Sequence, residues 1–519
     1  MTKQSPGRLA GKRQPILGKG PTSMRQCVLL AAMALILASC SDSDGIQSKP
    51  SAGQIDYLSG FLGGVAADEP RAALVARDTL SAGGTAADAV TAAALAYAVT
   101  YPGGAGLGGG GICVVGDPIT GRGRAETIDF PARAAAGGGP LAIPGMVRGL
   151  GLLQGRYGKL RWEATVAPAE QLARFGDGAS RAFLRSVTET DPALAADPAL
   201  AEILGGPGGR LPAEGAIRSQ QKLAGVLARI RSAGPADFYQ GHLSQVVLAD
   251  MAREGGRITA EDLRNYAITI EKPIALEFEK SVTLYASNNA RGGAIAAWLA
   301  EQGFDDGGLI SGSRFRADRF AENMGQAYRN AGAEAPKRGY GSASIAVIDR
   351  NGLAVACSFS MGPAFGSRRV GRETGLLFAA PPGVPGDESP YMAAMVGING
   401  NVHQAFIAAG ASGGAPAPAA LAQAVLQTTL AKSQKDPAPQ AIALPRLFHA
   451  GPQAPVLAEP GLPADSLAAL RGRGLAVTEA GPLGRVTLAY CGEGVPRAPQ
   501  SCSFAADPRG FGLAVGRLF

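Results

Sequence analysis

The segment Gly341–Ser360 constrains the fold more than any other. Two short apolar runs, Ser342–Asp349 and Leu353–Ser360, flank the pair Asn351-Gly352, and Asn-Gly between alternating apolar stretches is the strongest short-range hairpin signal. The segment therefore reads as two strands and a turn of an antiparallel sheet. With Asn351 and Gly352 as the two central residues of a type I′ turn, facing residues sum to 703. Ser342 then lies opposite Met361 and beside Ser360, so two serine hydroxyls meet at one end of the sheet. Asn399-Gly400 marks a second hairpin in the same third of the chain.

Charge separates a leader from the body. Lys3, Arg8, Lys12, Arg13, Lys19 and Arg25 fall within residues 1–40, which hold no acid, and the whole chain carries +7. The remainder is nearly neutral, so the high pI gives no argument for nucleic-acid binding. An uncharged apolar run, Cys27–Ala38, is short for a membrane span and suits a signal-peptide core. Its end, Leu37-Ala38-Ser39-Cys40, resembles the bacterial lipobox, which implies lipidation at Cys40. Residues 1–40 then form a lipoprotein signal and 41–64 a flexible tether. The expected location is a bacterial cell envelope, with the protein held to the membrane by its N-terminal lipid and facing the periplasm or the exterior. Export favours paired cysteines: Cys491 and Cys502 could close a loop, whereas Cys113 and Cys357, inside apolar runs, read as buried small apolar residues.

In the body, alanine-rich helical spacing runs from Pro70 to Val99, broken at Gly83-Gly84 and restarted by a Thr85 cap. Two closely packed helices follow. Residues of about 145–270 read as mostly helical, with turns at 205–209 and 255–256, and the last third as an antiparallel sheet. With 74 glycines but no collagen period, and 18% charged residues, neither a fibrous nor a disordered chain fits. Three scattered histidines, His242, His403 and His449, give no metal centre and little support for a serine–histidine pair; no cofactor is expected. Gly106–Gly111 matches G-x-G-x-x-G but precedes a strand, which reads as a structural turn.

Ser342–Gly352, followed by Ser358-Phe359-Ser360-Met361-Gly362 and Phe365-Gly366, resembles the processing site of the γ-glutamyltranspeptidase family. Further blocks fall in family order: Gly83–Ala89, Gly106–Gly111, Ile143–Gly149, Tyr157–Leu160, Gly255–Leu263, Gly410–Gly414 and Asp507-Pro508-Arg509. The resemblance implies an α+β fold, the four-layer αββα sandwich of N-terminal nucleophile hydrolases. It also implies a precursor that cuts itself between Gly341 and Ser342. Residues 65–341 would correspond to the family's large subunit and 342–519 to its small one, the two remaining associated. Ser342 is then the nucleophile, with Ser344 the alternative, and its freed α-amine, of pKa about 7.7–8.0, the base. Ser360 takes the position of the threonine that contacts nucleophile and amine, and the N–H groups of Gly413 and Gly414 that of the oxyanion loop. The resemblance implies hydrolysis or transpeptidation of a small-molecule or peptide amide through an acyl-Ser342 intermediate.

Three segments depart from the pattern. Pro131, in Asp129-Phe130-Pro131-Ala132, stands where the family has the arginine for the α-carboxylate. Ala379–Val384 replaces the segment whose aspartate binds the α-ammonium, and Pro390–Ala394 replaces a serine-rich segment. A γ-glutamyl group loses both charge partners, unless Arg133, Arg368 or Arg369 substitutes. The alternative reading is a non-catalytic, uncleaved descendant acting as an envelope binding protein.

Overall fold

The computed structural model of the chain describes residues 61–120, 123–278, 281–288, 291–304, 310–311, 314–332, 339–451 and 453–516. The leader, Cys40 and most of the expected tether lie outside them. The strands of its two large sheets, in chain order, are β1 Gly63–Ala67, β2 Gly110–Asp117, β3 Arg124–Phe130, β4 Thr269–Glu271, β5 Ile274–Glu277, β6 Thr283–Ala286, β7 Ser342–Asp349, β8 Ala354–Ser360, β9 Ala393–Asn399, β10 Gln404–Ser412, β11 Arg485–Val495, β12 Cys502–Ala506 and β13 Leu513–Val515. The expected tether thus runs two residues too far, since Gly63 and Gly64 already pair with Asp349 and Ile348.

The first sheet has the order β13-β1-β7-β8-β2-β3-β4 and the second β12-β11-β10-β9-β6-β5. The antiparallel sheet is therefore not confined to the last third: β1, β2 and β3 flank the hairpin β7–β8. A fully apolar strand such as β8 needs cover on both faces, and here it has it. One face of the first sheet, with Val65, Ile128, Ile345, Val355 and Phe359, packs on the helices Pro70–Ser81 (α1), Ala86–Thr100 (α2) and Met146–Tyr157 (α3). Its other face, with Val114, Ala346 and Ala356, meets Val396, Ala408 and Ala489 of the second sheet. The far side of the second sheet packs on Arg291–Phe304 (α4) and Ala417–Leu430 (α5). The layers read helix, sheet, sheet, helix.

Small residues let the sheets close. A Cβ at Gly410 would lie 2.8 Å from the Cys357 carbonyl oxygen of the opposite sheet. The two N-terminal helices form as expected, and Thr85 caps α2 in a reciprocal box with Asp88. The same Asp88 carboxylate accepts from the backbone N–H groups of Lys159 and Leu160, so two family-like blocks distant in sequence meet there. Gly106–Gly109 is a tight turn leading into β2, with Gly109 N–H donating to the Gly106 carbonyl.

Two expectations are corrected. Cys113 and Cys357 are not free small residues; they are register partners on β2 and β8 and form a disulfide. Each reads as an apolar strand residue because the bridge is itself buried; only the strand order places them opposite one another. Cys491 and Cys502 are bridged as well. The second correction concerns register: Ser342 faces Ser360, and Ile348 faces Ala354. Asp349 and Leu353 close a three-residue loop with Gly352 at φ +86°, the type I turn with a glycine bulge instead of the two-residue turn. The Asp349 carboxylate drives this choice by accepting from the N–H groups of Asn351 and Leu353.

Candidate active site

The site forms where β7 begins and β8 and β10 end. The one-residue change of register places the Ser342 and Ser360 backbones directly opposite each other, closer than the sequence expectation. Ser342 is 2% exposed, and its Oγ makes two hydrogen bonds. It donates to Glu388 Oε2 at 2.5 Å and accepts from the Gly413 N–H at 2.9 Å. Ser360 Oγ donates to the Gly341 carbonyl oxygen at 2.9 Å, and the Met361 N–H reaches the same oxygen at 2.9 Å. The bond Gly341–Ser342 thus lies between a hydroxyl poised beside a carboxylate and a carbonyl held by two donors.

Gly413 and Gly414 follow β10 with φ of +102° and +73°, a region that only glycine occupies freely. Their two N–H groups diverge in this chain: that of Gly413 bonds Ser342 Oγ, and that of Gly414 faces the Glu388 carboxylate and opposes the rise of its pKa. At Gly341 the need for glycine is spatial, because a Cβ would lie 2.3 Å from the Gly362 carbonyl oxygen. No left-handed conformation is involved there.

Two charged residues that the sequence did not single out complete the site. Glu388 is buried, and burial pushes its carboxyl above the usual range against the opposing effects of the Ser342 hydrogen bond and the Arg485 charge. Arg485, at the start of β11, donates to the carbonyls of Gly339 and Ser342 and lies 4.5 Å from the Tyr340 ring centroid. Asp68 sits deeper. Its carboxylate accepts from Ser344 N–H, Ser344 Oγ and Ser412 Oγ, and burial raises its pKa while Arg485 opposes the shift. Ser344 is therefore tied into a separate buried cluster with Asp68, and Thr487 donates to its Oγ. Glu388 is 46 residues from Ser342 in sequence, between the two segments 379–384 and 390–394 where the family pattern is lost, so no linear spacing marks it.

The three arginines considered as substitutes are engaged by other groups. Arg133 stacks over Tyr266 at 5.2 Å, Arg368 pairs with Asp191 at 3.3 Å, and Arg369 approaches Glu254 at 4.0 Å. A cavity of about 550 Å³ lies beside Glu388 and Gly414, lined also by Arg291, Asp387 and Tyr391. Both Asp387 oxygens are engaged by backbone N–H groups, of Gly383 and Ser389. His449 is a buried packing residue whose Nδ1 lies 2.9 Å from the Ala321 carbonyl.

A sequence model described as Gamma-glutamyltranspeptidase matches residues 72–334, half of the chain. The chain belongs to the γ-glutamyltranspeptidase family. Among its relatives, glutathione hydrolase 2 of Arabidopsis thaliana is 28% identical over 268 residues, 49% of this chain and 45% of that protein. Glutathione hydrolase 7 of Homo sapiens is 31% identical over 263 residues, 48% of this chain and 39% of its own length. The glutathione hydrolase proenzyme of Pseudomonas aeruginosa is 30% identical over 251 residues, 45% and 44%. The chain spans under half the length of these γ-glutamyltranspeptidase relatives. The fold extends the likeness past Ser342: a cephalosporin acylase from Bacillus halodurans superposes with a TM-score of 0.69 at 22% identity, covering 91% of this chain and 99% of that one. The architecture is that of the N-terminal nucleophile hydrolases.

Proposed function

We propose that this γ-glutamyltranspeptidase-family protein is a self-processing amidohydrolase or acyltransferase. It cuts its own Gly341–Ser342 bond and then forms an acyl-Ser342 intermediate on an amide substrate. The observation that carries the reading is the pairing of a hydrogen-bonded Ser342 Oγ with a Gly341 carbonyl that accepts from Ser360 Oγ and Met361 N–H. In the cut, Oγ attacks the Gly341 carbonyl carbon, and the two donors stabilise the charge that develops on its oxygen. The carbon–nitrogen bond then breaks, which frees the α-amine of Ser342, and hydrolysis of the resulting ester frees Oγ; with a pKa of about 7.7–8.0 that amine can take the Oγ proton in later turnovers. In those turnovers the N–H groups of Gly413 and Gly414 would have to leave Ser342 Oγ and the Glu388 carboxylate to serve the acyl carbonyl oxygen. Residues 65–341 and 342–519 act as the large and small parts.

Water as acceptor gives hydrolysis, and an amine gives transpeptidation. A γ-glutamyl donor is supported only by the relatives' names, and the site speaks for a less polar or differently charged acyl group. Each charged hydrogen bond lost at the positions of Pro131 and 379–384 would weaken a γ-glutamyl group by roughly 1.5–3 kcal/mol. The same losses favour the second reading, an uncleaved envelope binding protein. Attachment to a bacterial envelope through Cys40 is part of the proposal, and mass spectrometry of the mature N-terminus for a thioether-linked lipid tests it.

The deciding experiment is intact mass on the expressed chain beside Ser342→Ala. Two fragments, one beginning at Ser342, are expected for the wild type and a single chain for the variant. An uncut wild type under varied pH and time would move the reading to the binding protein.

A further inference from the structure

Resting on that reading, we infer that Glu388 is the general base and then the general acid of self-cleavage. Two hydrogen bonds converge on its carboxylate. Ser342 Oγ already accepts from Gly413 N–H, so its proton points to the acceptor it has, Glu388 Oε2 at 2.5 Å. The other oxygen, Oε1, accepts from the N–H of Gly341, the residue whose carbonyl is attacked, at 2.8 Å. One carboxylate thereby bridges both sides of the bond to be cut.

The surroundings are built to hold it. Its own N–H donates to the Gly362 carbonyl, and its carbonyl accepts from Tyr391 N–H. Asp387 braces the same loop through Gly383 and Ser389. Gly339 supplies the room, because a Cβ there would lie 1.6 Å from Oε1. Among the described residues no other titratable side chain is hydrogen-bonded to Ser342 Oγ. Asp68 serves Ser344 and Ser412, while His449 and His403 bond distant carbonyls.

The step balances as follows. Ser342 Oγ bonds to the Gly341 carbonyl carbon as its proton passes to Glu388. The carbon–nitrogen bond breaks as Glu388 returns that proton to the departing Ser342 nitrogen. One water then hydrolyses the ester, Glu388 taking the water's proton and delivering it to Oγ. The products are an N-terminal Ser342 and a Gly341 carboxylic acid, which gives its proton to solvent. Because only the ionised carboxylate can accept, cleavage slows as pH falls through the raised pKa of Glu388.

The test follows the full chain made as a pulse in a cell-free reaction, with cleavage read on reducing gels and by intact mass. Glu388→Gln should cut about 100-fold more slowly or worse, with the acid limb of the pH–rate profile gone. Glu388→Ala should be restored in a concentration-dependent way by formate and not by chloride at equal ionic strength, a response that a purely structural role would not give. A wild type that cuts while Glu388→Gln keeps within about threefold overturns the inference alone. A wild type that never cuts overturns the self-processing reading and this inference with it. If Glu388→Gln does not fold, Glu388→Ala with formate decides: rescue supports the base, and its absence in a folded variant rejects it.

Discussion

At Gly413 the backbone and the chemistry ask for the same residue. Its φ of +102° and the 3.1 Å that would separate a Cβ from Gly484 Cα leave an alanine both strained and crowded. Gly413→Ala should cost about 1–2 kcal/mol of stability. By moving the N–H that orients Ser342 Oγ it should also slow self-cleavage by about 10–100-fold. Thermal melting and a cleavage time course read the two effects separately. Asp68 gives a second prediction with a defined sign. Burial raises its folded pKa above the ordinary 3.8, so over the window above about 3.8 the folded chain binds more protons than the unfolded one. Stability from this group is therefore lost as pH rises through the folded pKa. Asp68→Asn should flatten that part of the decline, measured as urea midpoints from about pH 4 to about pH 7. Residue by residue, the meeting of Ser342, Ser360 and Gly413 was legible because they sit in short motifs. Glu388 and Arg485 were not, because what selects them is a hydrogen bond and a carbonyl contact made across 46 and 143 residues of chain.

At the scale of elements, the hairpin β7–β8 shows how a local signal can be right in kind and off by one. Asn351-Gly352 does turn the chain, but Asp349 holds the N–H groups of Asn351 and Leu353 and stabilises a longer loop. A two-residue turn would leave those groups to other partners. The Asp349 carboxylate also accepts from Ala86 N–H at the start of α2, which ties the register of the hairpin that carries Ser342 to a helix some 260 residues earlier. Gly352, at φ +86°, would carry a Cβ 2.7 Å from the Val495 carbonyl oxygen. Gly352→Ala should therefore lose roughly 1–2 kcal/mol in denaturant unfolding, with the destabilisation accompanied by slower cutting because Ser342 and Ser360 lie at the far end of the same two strands. Helices α1 and α2 were legible down to the capping threonine, since a cap and an alanine-rich face are local properties. The position of β1, β2 and β3 within the sheet was not, because strand order depends on partners the sequence does not name.

For the whole molecule, the bridge Cys113–Cys357 acquires a meaning only when the cut is considered. The two cysteines are 244 residues apart and lie on opposite sides of Gly341–Ser342. In the uncut chain they close one long loop, a constraint worth about 5 kcal/mol in the chain-entropy picture. If the proposed cut occurs, the same bridge joins two separate polypeptides, while Cys491–Cys502 stays within the smaller one. The sheet gives a second, non-covalent tie, since β7 pairs with β1 and β8 pairs with β2. Processed protein should thus run as one species on a denaturing gel without reductant and as two with it. Under native conditions reduction alone should leave the parts together, because seven interleaved strands still hold them. Size-exclusion chromatography of reduced, processed protein checks the last point, with a single peak at the mass of the whole chain expected. Replacing Cys113 and Cys357 with alanine should make the two fragments separate on a non-reducing denaturing gel, while the hairpin and its cleavage persist at some cost in stability. Two bands without reductant from processed wild-type protein would mean that the bridge does not form in the folded molecule.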